Sequence, residues 1–522
     1  MTRSAGDIGA GLAQIRPAQK IRVGERIHFL GIAGAGASAA ALLALAAGAE
    51  VSGCDPGGPS PYTPALVSAG VEMAWSHDPS HVTGGRPPDR LAVSKALTAI
   101  NPDHPELRAA LAARIPIEPW HQVVADAAVG RRLVGVAGTH GKSTSTGWLV
   151  HVLAHAGRDP SAFVGALLPD EVTGAGPATA RSGVGPMFVV EADEYAGNFD
   201  AFVPDVAVLT SVEWDHPDVF ADRAAVEAVF GAWIQRMPPG ATLVANIGDV
   251  GVDALLGSTP TLNLNLIAYA VTESGPDRGG FIRGSADQYA TALGSATVLL
   301  GRIVSAEPSG TRVEISGLDP LAGPVTVHLR SAGRHNVANA LGVAGAAMAL
   351  GLTPDEIVSG IESFTGIGRR LERKGEVAGV VVYDDYGHHP TAIRATIAAV
   401  RQREPGRRLW AVYEPLTFHR TAALLDGFAS ALSGADSVAV ADIWPGRDPD
   451  TTLTSPTELI AAVQRASPGI TAVASGSVEA TAAWLSSAVK AGDVVLVMGG
   501  GHSYLIGELL LERLGEPGVR SA

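Results

Sequence analysis

The feature that most constrains this chain is a short glycine loop between an apolar segment and the start of a helix. Residues 134–146 read VGVAGTHGKSTST. Gly138 and Gly141 allow a tight turn whose backbone N–H groups point toward phosphate oxygens. Lys142 adds a positive charge, and Ser143 adds a hydroxyl that can bind Mg²⁺. The stretch therefore predicts a nucleotide triphosphate site at a helix N-terminus, the alternative being a structural turn with a surface lysine.

Length and composition limit the possible folds and functions. A chain of 522 residues is too long to form a single hydrophobic core, and its length predicts about three domains. A formal net charge of −14 argues against a nucleic-acid surface. The longest apolar run, residues 37–49, is too short to cross a membrane. Residues 1–24 lack the apolar core of a secretory signal, which predicts a flexible tail on a cytoplasmic protein. The single cysteine, Cys54, excludes a disulfide framework and any zinc site built from several cysteines.

Residues 26–55 predict the start of a Rossmann-like domain, which we place at residues 25–129. A strand at 27–30 leads into a glycine turn at 31–36, an alanine-rich helix, and a second strand that ends at Asp55. The turn fits the fingerprint G-x-G-x-x-G/A, which places a diphosphate at the helix N-terminus and Asp55 near a ribose. One fingerprint alone is also compatible with NAD or with a purely structural turn.

Residues 130–365 predict a central domain around the glycine loop. Two apolar strands in it end in acidic and imidazole side chains, among them Glu191 and His216. Because the carboxyl ends of parallel strands meet at one edge of a sheet, we expect these two side chains beside the loop. Carboxylate oxygens and an occasional imidazole suit Mg²⁺. Asp193 and Asp215 lie in the same runs and are explained equally well as helix N-caps.

Two later segments of this domain are less informative. Residues 272–330 alternate apolar and polar residues between turn residues, which predicts an antiparallel excursion without a chemical motif. Asn336 then precedes an alanine-rich helix that runs to Leu350. Its position at a helix start is a sufficient structural explanation, and a nucleotide-binding role is the alternative.

A last α/β domain is predicted over residues 366–522. Two aspartates at 384–385 and two histidines at 388–389 follow an apolar strand, and Arg420 follows the next strand. Such groups at neighbouring strand ends predict a polar site in this domain. The alternative is that the histidines are ordinary turn residues.

Taken together, these motifs resemble the Mur ligase family over nearly the whole chain. The likeness is carried by seven segments in the order found in that family, at residues 27–36, 51–55, 138–142, 191–194, 213–216, 333–337 and 384–391. The resemblance implies an α/β fold of three domains. These are a Rossmann-like N-terminal domain for the UDP end of a substrate, a central P-loop ATPase domain, and a mobile Rossmann-like C-terminal domain.

The same resemblance implies an ATP-dependent ligase that forms an amide bond through an acyl phosphate. The implied substrates are UDP-N-acetylmuramate and a small amino acid, L-alanine, in the synthesis of peptidoglycan precursors. ATP and Mg²⁺ are the implied cofactors. No nucleic-acid or membrane partner is implied, and the expected state is a monomer or a weak homodimer.

The resemblance also assigns site residues at the positions that match the family motifs. The implied catalytic residues are Lys142, Glu191, His216, His388 and Arg420. The implied nucleotide-binding residues are Gly138, Thr139, His140, Gly141, Lys142, Ser143, Thr144, His335 and Asn336. The implied substrate-binding residues are Gly31, Ala33, Gly34, Ala35, Gly36, Asp55, Asp385 and His388. The implied metal ligands are Ser143, Glu191 and His216.

One catalytic role follows from the chemistry that the resemblance implies. An amine that attacks an acyl phosphate must lose a proton, so the reaction needs a general base. His388 is our hypothesis for that base.

Several departures from the family leave the acceptor substrate open. Thr417 stands where the family has an arginine near the substrate phosphates. No lysine lies between Lys142 and Lys374, which excludes the carbamylated lysine that other branches use. One alternative is a recycling ligase that joins UDP-N-acetylmuramate to a preformed tripeptide, which residues 213–220 and 442–444 favour slightly. A second alternative is a nucleotide-binding pseudo-ligase without catalysis.

Overall fold

The computed structural model describes residues 8–9, 11–259, 263–272, 294–319, 323–446, 448 and 450–516. Along the chain, these residues form three β-sheets of five, ten and six strands, with helices packed against them. Three successive α/β units are what the sequence predicted. Among the described helices, none combines the length and the apolar character that crossing a bilayer requires.

The first unit is a parallel sheet with the order of a doubly wound fold. Its strands are β1 (Arg26–Leu30), β2 (Glu50–Cys54), β3 (Glu72–Ala74), β4 (Arg90–Val93) and β5 (Ile117–Pro119). Its helices are α1 (Ala35–Ala46), α2 (Thr63–Ser68), α3 (Ser80–Thr83), α4 (Lys95–Ile100), α5 (Pro105–Ala112) and α6 (Trp120–Ala127). The strand order β3-β2-β1-β4-β5, with all pairs parallel, confirms the predicted Rossmann-like unit.

The segment before β1 lies against this first unit. Arg16 donates to the carboxylates of Glu118 at 2.9 Å and Asp126 at 2.7 Å. The predicted flexible tail therefore does not hold for residues 11–24, because a guanidinium satisfies two carboxylates of the domain. Composition could not reveal that pairing. The earlier residues of the predicted tail lie largely outside the described part of the chain.

The central unit is a mixed sheet built around the glycine loop. Its strands are β6 (Arg132–Ala137), β7 (Ser161–Leu168), β8 (Ala178–Arg181), β9 (Met187–Ala192), β10 (Val206–Leu209), β11 (Thr242–Asn246), β12 (Leu264–Thr272), β13 (Gly294–Glu307), β14 (Gly310–Ser316) and β15 (Val325–Leu329). Its helices are α7 (Lys142–His155), α8 (Asp170–Thr173), a 3₁₀ segment (Tyr195–Ala201), α9 (Arg223–Gln235), α10 (Val250–Ser258), α11 (Arg334–Ala349) and α12 (Pro354–Ser363). The order is β15-β14-β13-β12-β11-β10-β6-β9-β7-β8.

The predicted antiparallel excursion is confirmed in its described part. β14 pairs antiparallel with both β13 and β15. β13 pairs parallel with β12, so the excursion extends the central sheet rather than forming a separate one. Residues 273–293 of the excursion lie outside the described residues.

The third unit is a six-stranded sheet with one antiparallel edge strand. Its strands are β16 (Glu372–Val377), β17 (Val380–Asp385), β18 (Leu409–Glu414), β19 (Ser437–Ala441), β20 (Thr471–Gly476) and β21 (Val494–Gly499). Its helices are α13 (Pro390–Arg403), α14 (Phe418–Ala423), α15 (Leu425–Leu432), α16 (Pro456–Ala466), α17 (Val478–Ala488) and α18 (Ser503–Gly515). The order is β16-β17-β21-β18-β19-β20, and only the β16–β17 pair among these is antiparallel.

Packing joins the first two units more closely than the third. Helix α1 is rich in alanine and packs against β7 and β8 of the central sheet, where Ser38 Oγ lies 3.1 Å from Thr179 Oγ1. Buried apolar side chains of both units, such as Ala40 and Phe163, belong to one continuous cluster. The third unit has apolar clusters of its own. The position of the third unit relative to the first two therefore depends on contacts outside its own apolar clusters.

A buried arginine in the first unit gives a test of this packing. Arg90 bonds Glu25 at 2.8 Å, Glu118 at 2.9 Å and Asp126 at 2.6 Å. In Arg90→Met the three carboxylates lose the one cation that contacts them all, and Glu118 and Asp126 keep only Arg16, so we expect the free energy of unfolding to fall by about 3 kcal/mol. Chemical denaturation monitored by circular dichroism measures the change. Arg223→Met, which breaks an exposed helix pair, should cost less than about 1 kcal/mol.

Candidate active site

The three units meet at a cavity of about 380 Å³ beside the glycine loop. Its wall includes Gly36 and Trp120 from the first unit, Lys142, Ser143, Glu191 and His216 from the central unit, and Arg370, Asp385, His388 and Arg420 from the third. The five predicted catalytic residues all line this one cavity. They come from segments up to hundreds of residues apart, which only the fold brings together.

The glycine loop leads from β6 into α7. Gly138 and Gly141 have φ angles of 135° and 80°, which residues with a Cβ rarely adopt. A Cβ atom at Gly138 would collide with Thr210 Oγ1, and one at Gly141 would lie 2.5 Å from Asn339 Oδ1. Helix α7 begins at Lys142, so its unpaired N–H groups lie beside the cavity. This is the arrangement that an anion site at a helix N-terminus requires.

Lys142 is held as a cation within the loop. Its Nζ donates to the Gly138 carbonyl at 2.7 Å and to Glu194 Oε2 at 2.8 Å. Burial opposes the charge, but Glu194 and Asp193 raise the pKa of Lys142 above its ordinary value. The sequence analysis missed Glu194 as a partner. The available signal was its place directly after Asp193 in the acidic run.

Ser143 and Glu191 meet where α7 begins and β9 ends. Ser143 Oγ donates to Glu191 Oε1 at 2.8 Å, and the Gly165 N–H donates to Oε2 at 2.6 Å. Arg370 of the third unit donates to Ser143 Oγ at 2.7 Å, so a positive charge already stands beside these oxygens. A hydroxyl and a carboxylate are the hard oxygen ligands that Mg²⁺ prefers. The residues present therefore fit the implied metal.

His216, the third implied metal ligand, lies on the same cavity wall. One ligand atom each of His216, Asp193 and Glu194 lies within 4.8 Å of the others, which is close enough for a shared ion. His216 has a φ angle of 53°, in the left-handed region. That conformation is strained for a residue with a Cβ, and such strain is typical of functional sites.

Arg420 belongs to the third unit and contacts residues of the central unit. Its Nε donates to Asp215 Oδ1 at 2.7 Å, and its Nη2 lies 3.1 Å from His216 Nδ1. Burial opposes the charge on Asp215, yet Arg420 and the neighbouring imidazoles hold the pKa of that carboxyl well below its ordinary value. The pair is therefore ionised at neutral pH and joins the two units. Asp215 is a partner in this contact rather than merely a helix cap.

The loop after β17 carries two further predicted site residues. His388 Nδ1 lies 2.9 Å from the Tyr386 carbonyl, so it carries the proton and leaves Nε2 with a free lone pair. His388 Nε2 is 3.9 Å from Asp215 Oδ2. Asp385 accepts the Gly387 N–H at 2.7 Å and the Leu371 N–H at 2.8 Å. Asp385 thus shapes the loop, and His388 presents a neutral ring to the cavity.

The predicted substrate residues of the first unit form a turn that Asp55 holds in place. Asp55 accepts the Ala33 N–H at 3.1 Å, within the segment of Gly31, Ala33, Gly34, Ala35 and Gly36. Gly31 has a φ angle of 81°. A Cβ atom at Gly36 would collide with the Trp120 indole, so the glycine is required by packing. Of this turn, Gly36 is the residue that lines the cavity.

Two of the predicted nucleotide-binding residues, His335 and Asn336, lie at the start of α11. Gly333 is the N-cap of this helix and Asn336 lies inside its first turn, so Asn336 is at the helix start as predicted but is not the capping residue. Asn336 Nδ2 donates to the Ala332 carbonyl at 2.8 Å, and its Oδ1 accepts from Asn339 at 3.2 Å. Burial lowers the pKa of His335, which keeps the ring neutral. Sequence analysis missed Asn339, although a spacing of three on one helix was a usable signal.

A second polar contact joins the third unit to the glycine loop. Glu213 accepts from His140 Nε2 at 2.8 Å and from Thr391 Oγ1 at 2.8 Å. Burial opposes its charge, but the His140 hydrogen bond and the nearby His389 lower the pKa of Glu213 to about 2. Burial in turn lowers the pKa of His389 to about 4. Acid therefore disfavours the folded state at His389, whose buried ring must take up a charge, and removes the Glu213 carboxylate only as the pH falls toward 2.

The lowered pKa of Glu213 predicts how stability changes with pH. Its contribution is complete above pH 4.5, the ordinary pKa, and is lost as the pH falls toward 2. Glu213→Gln should lower the thermal midpoint near neutral pH, and the difference from the native protein should shrink in acid. Scanning calorimetry at several pH values measures the thermal midpoints of both proteins. Glu227→Gln, in an exposed ion pair on a helix, is the control. If the difference in thermal midpoint between Glu213→Gln and the native protein stayed constant in acid, the lowered pKa of Glu213 would be contradicted.

Three family models match consecutive parts of the chain. The model described as the Mur ligase family catalytic domain matches residues 26–132. The Mur ligase middle domain matches residues 136–347. The model described as Mur ligase, glutamate ligase domain, matches residues 369–501. The order and positions of the matches follow the three sheets.

Individual proteins match along nearly the same length. The UDP-N-acetylmuramate–L-alanine ligase of Frankia casuarinae is 36% identical over 517 residues, covering 94% of this chain and 98% of that protein. The structure of a UDP-N-acetylmuramate-alanine ligase from Thermotoga maritima has a TM-score of 0.72 at 22% identity, covering 94% and 98% of the two chains. A murein peptide ligase from Psychrobacter arcticus has a TM-score of 0.70 at 26% identity, covering 94% and 99%. Matched in this way along its length, the chain belongs to the Mur ligase family.

Proposed function

We propose that this protein joins L-alanine to UDP-N-acetylmuramate and converts ATP to ADP and phosphate. The observation that carries the proposal is the convergence at one cavity of the Lys142 loop, the Ser143–Glu191 pair and Arg420 from another domain. Phosphoryl transfer needs positioned charges of this kind rather than a covalent enzyme group. The choice of substrates is supported by the Frankia relative, whose name gives this reaction.

In the first step, a carboxylate oxygen of the muramoyl group attacks the γ-phosphorus of ATP. The bond from that phosphorus to ADP breaks, and the product is an acyl phosphate. Loop N–H groups and Lys142 hold the phosphates, and Lys142 exchanges its bond to Glu194 for one to a phosphate oxygen. Arg420 stabilises the charge on the transferred oxygens.

The metal and the nucleotide are assigned to the residues around the loop. When bound, Mg²⁺ neutralises phosphate charge, and Ser143 and Glu191, with His216 on the same wall, are the residues that would hold it. We assign Gly138, Thr139, His140, Gly141 and Thr144 to the phosphates, and His335 and Asn336 to the adenine side. We assign the turn at residues 31–36, ordered by Asp55, to the substrate pyrophosphate.

In the second step, the amine of alanine attacks the acyl carbon. The C–N bond forms, the C–O bond to phosphate breaks, and the amine loses a proton. We assign that proton to His388 Nε2, because Tyr386 fixes the ring with its free lone pair on that nitrogen. Burial, together with the charge of Arg420, lowers the pKa of His388 well below its ordinary value, so the ring is neutral before the reaction. Closure of the third domain excludes water, which would otherwise hydrolyse the acyl phosphate.

The proposal also covers the roles of the domains, the partners, the cellular location and the oligomeric state. We take residues 25–129, 130–365 and 366–522 as the domains for UDP-substrate binding, for ATP binding and for closure. A net charge of −14 supports a protein without a nucleic-acid partner. We propose that it works in the cytoplasm without a membrane partner, as a monomer or a weak homodimer.

Phosphate release tests the proposed reaction. The purified protein is given Mg-ATP and UDP-N-acetylmuramate, with L-alanine, glycine, L-serine or the L-Ala-D-Glu-diaminopimelate tripeptide in separate reactions. We expect release that depends on L-alanine, with glycine and L-serine weaker by about 10–200-fold, because one small group changes pocket binding by only ~1–3 kcal/mol. Release only with the tripeptide would instead assign the recycling reaction. No release with any acceptor would contradict a ligase.

The role of His388 has its own test. His388→Gln keeps a polar side chain but cannot accept a proton, so we expect kcat to fall by about 10²–10⁴-fold and to lose its acid limb in a pH–rate profile. The KM for ATP should change little, because the contacts that hold His388 are to the Tyr386 carbonyl and to Asp215, neither of which belongs to the glycine loop. Gln402→Ala, at another polar contact between the third and central domains, is the matched control. An unchanged rate across pH in His388→Gln would remove this residue from the mechanism.

A further inference from the structure

A second group of metal-binding side chains lies in the first domain, apart from the cavity. His28 on β1, Cys54 at the end of β2, His81 on α3 and Glu106 on α5 each place one donor atom within 4.8 Å of the others. His77, in the segment before α3, borders the group. The cavity wall described above contains none of these residues, and the proposed reaction does not use them.

The spacing of the donor atoms is that of ligands around one ion. Cys54 Sγ is 3.4 Å from His28 Nε2 and 3.3 Å from Glu106 Oε2. His81 Nδ1 is 3.2 Å from Glu106 Oε1, and His28 Nε2 is 3.9 Å from Glu106 Oε2. Bonds of about 2.3 Å to sulfur and about 2.0–2.1 Å to nitrogen or oxygen put the ligands of a tetrahedral zinc ion about 3.3–3.6 Å apart. Three of these four distances lie in or just below that range, as expected for ligands around one ion.

The chemistry of the donors selects the metal. A thiol, imidazoles and a carboxylate together suit Zn²⁺, whereas Mg²⁺ takes oxygen ligands. His28 is 4% exposed, and Cys54 and Glu106 are fully buried, so water is excluded from the inner side of the group. The side chains of His77 and His81 are 20% and 21% exposed. They provide the path by which an ion would enter.

Hydrogen bonds from neighbouring residues fix the orientation of two of the donor side chains. The Asp78 N–H donates to Glu106 Oε1 at 2.7 Å, and His28 Nδ1 lies 2.9 Å from Ser52 Oγ. Metal ligands in proteins are commonly fixed by such hydrogen bonds. The same donors would also satisfy the buried Glu106 carboxylate as a hydrogen-bond network, so metal binding is the property that separates the two explanations.

We propose that His28, Cys54, His81 and Glu106 bind a structural Zn²⁺ ion, with His77 as a further donor at the rim. The ion ties the two central strands of the first sheet to α3 and α5. The Cys54 carbonyl also accepts the Gly31 N–H at 2.8 Å, so the ion stiffens the base of the turn proposed to hold the substrate pyrophosphate. The sequence analysis excluded zinc sites built from several cysteines, and this one needs a single cysteine. The metal site does not depend on the proposed reaction.

Co²⁺ is the probe that tests the site directly, because a thiolate ligand gives a charge-transfer absorption band. Cys54 is the single cysteine among 522 residues, so a thiolate band reports on this site and on no magnesium site. The full chain is stripped of metal with a chelator and titrated with Co²⁺, then with Zn²⁺. We expect one equivalent of Co²⁺ with a thiolate band that Zn²⁺ displaces. A folded native protein that shows no thiolate band would overturn the proposal.

Variants identify the ligands. Cys54→Ser should abolish the band, and His81→Gln should weaken Co²⁺ binding by more than about tenfold. His155→Gln, at an exposed histidine near the end of α7 that bonds Ser359, should bind Co²⁺ as the native protein does. Circular dichroism of each variant verifies the fold. Equal Zn²⁺ affinity in the native protein and in Cys54→Ser would also contradict the assignment, whatever the ligase assay gives.

Discussion

The ion pair between Arg420 and Asp215 determines how the third domain meets the centre of the molecule. Because the third domain has apolar cores of its own, polar contacts set its position. Arg370 on Ser143 and Thr391 on Glu213 make two further contacts of this kind. All of them lie around the cavity beside the glycine loop. The charged site is therefore complete only with the third domain in this position, since each contact brings a group of that domain to the central one.

Opposed charges make this arrangement possible inside a buried cavity. An isolated ammonium or carboxylate would be costly in such a place, and removing one member of a buried pair is strongly destabilising. Lys142 is paired with Glu194, and Arg420 is paired with Asp215. The negative charge of a bound triphosphate can replace these carboxylates as the partner of Lys142 and Arg420. The pairing thus keeps the cations in place and leaves them able to change partner.

Two residues with strained backbone conformations line the same cavity. His216 and Thr417 both have φ angles in the left-handed region, at 53° and 65°. For a β-branched residue such as Thr417 this conformation is a genuine outlier. Its N–H donates to the Trp444 carbonyl at 2.9 Å, which fixes the turn just before the helix that carries Arg420. The backbone at Thr417 therefore holds the start of the helix that carries Arg420.

Much of the fold could be predicted from local signals. The glycine loop, the strand–turn–helix at residues 26–55 and the apolar strands before Glu191 and Asp384 each depend on neighbours in sequence, and the structure confirms them. Contacts across domains could not be predicted in this way. Arg370 reaches the loop because the third unit packs against the central one, and nothing local marks it. The pairing of Arg16 with Glu118 lies within the first unit but joins residues far apart in sequence, so it was hidden as well.

Isotope transfer tests whether the cavity activates a carboxylate by phosphorylation. UDP-N-acetylmuramate labelled with ¹⁸O in the lactyl carboxylate is converted with Mg-ATP and L-alanine, and the released phosphate is examined by mass spectrometry. An acyl phosphate leaves one carboxylate oxygen on the phosphate, so we expect one ¹⁸O atom in each phosphate released. Unlabelled phosphate accompanying amide formation would contradict it.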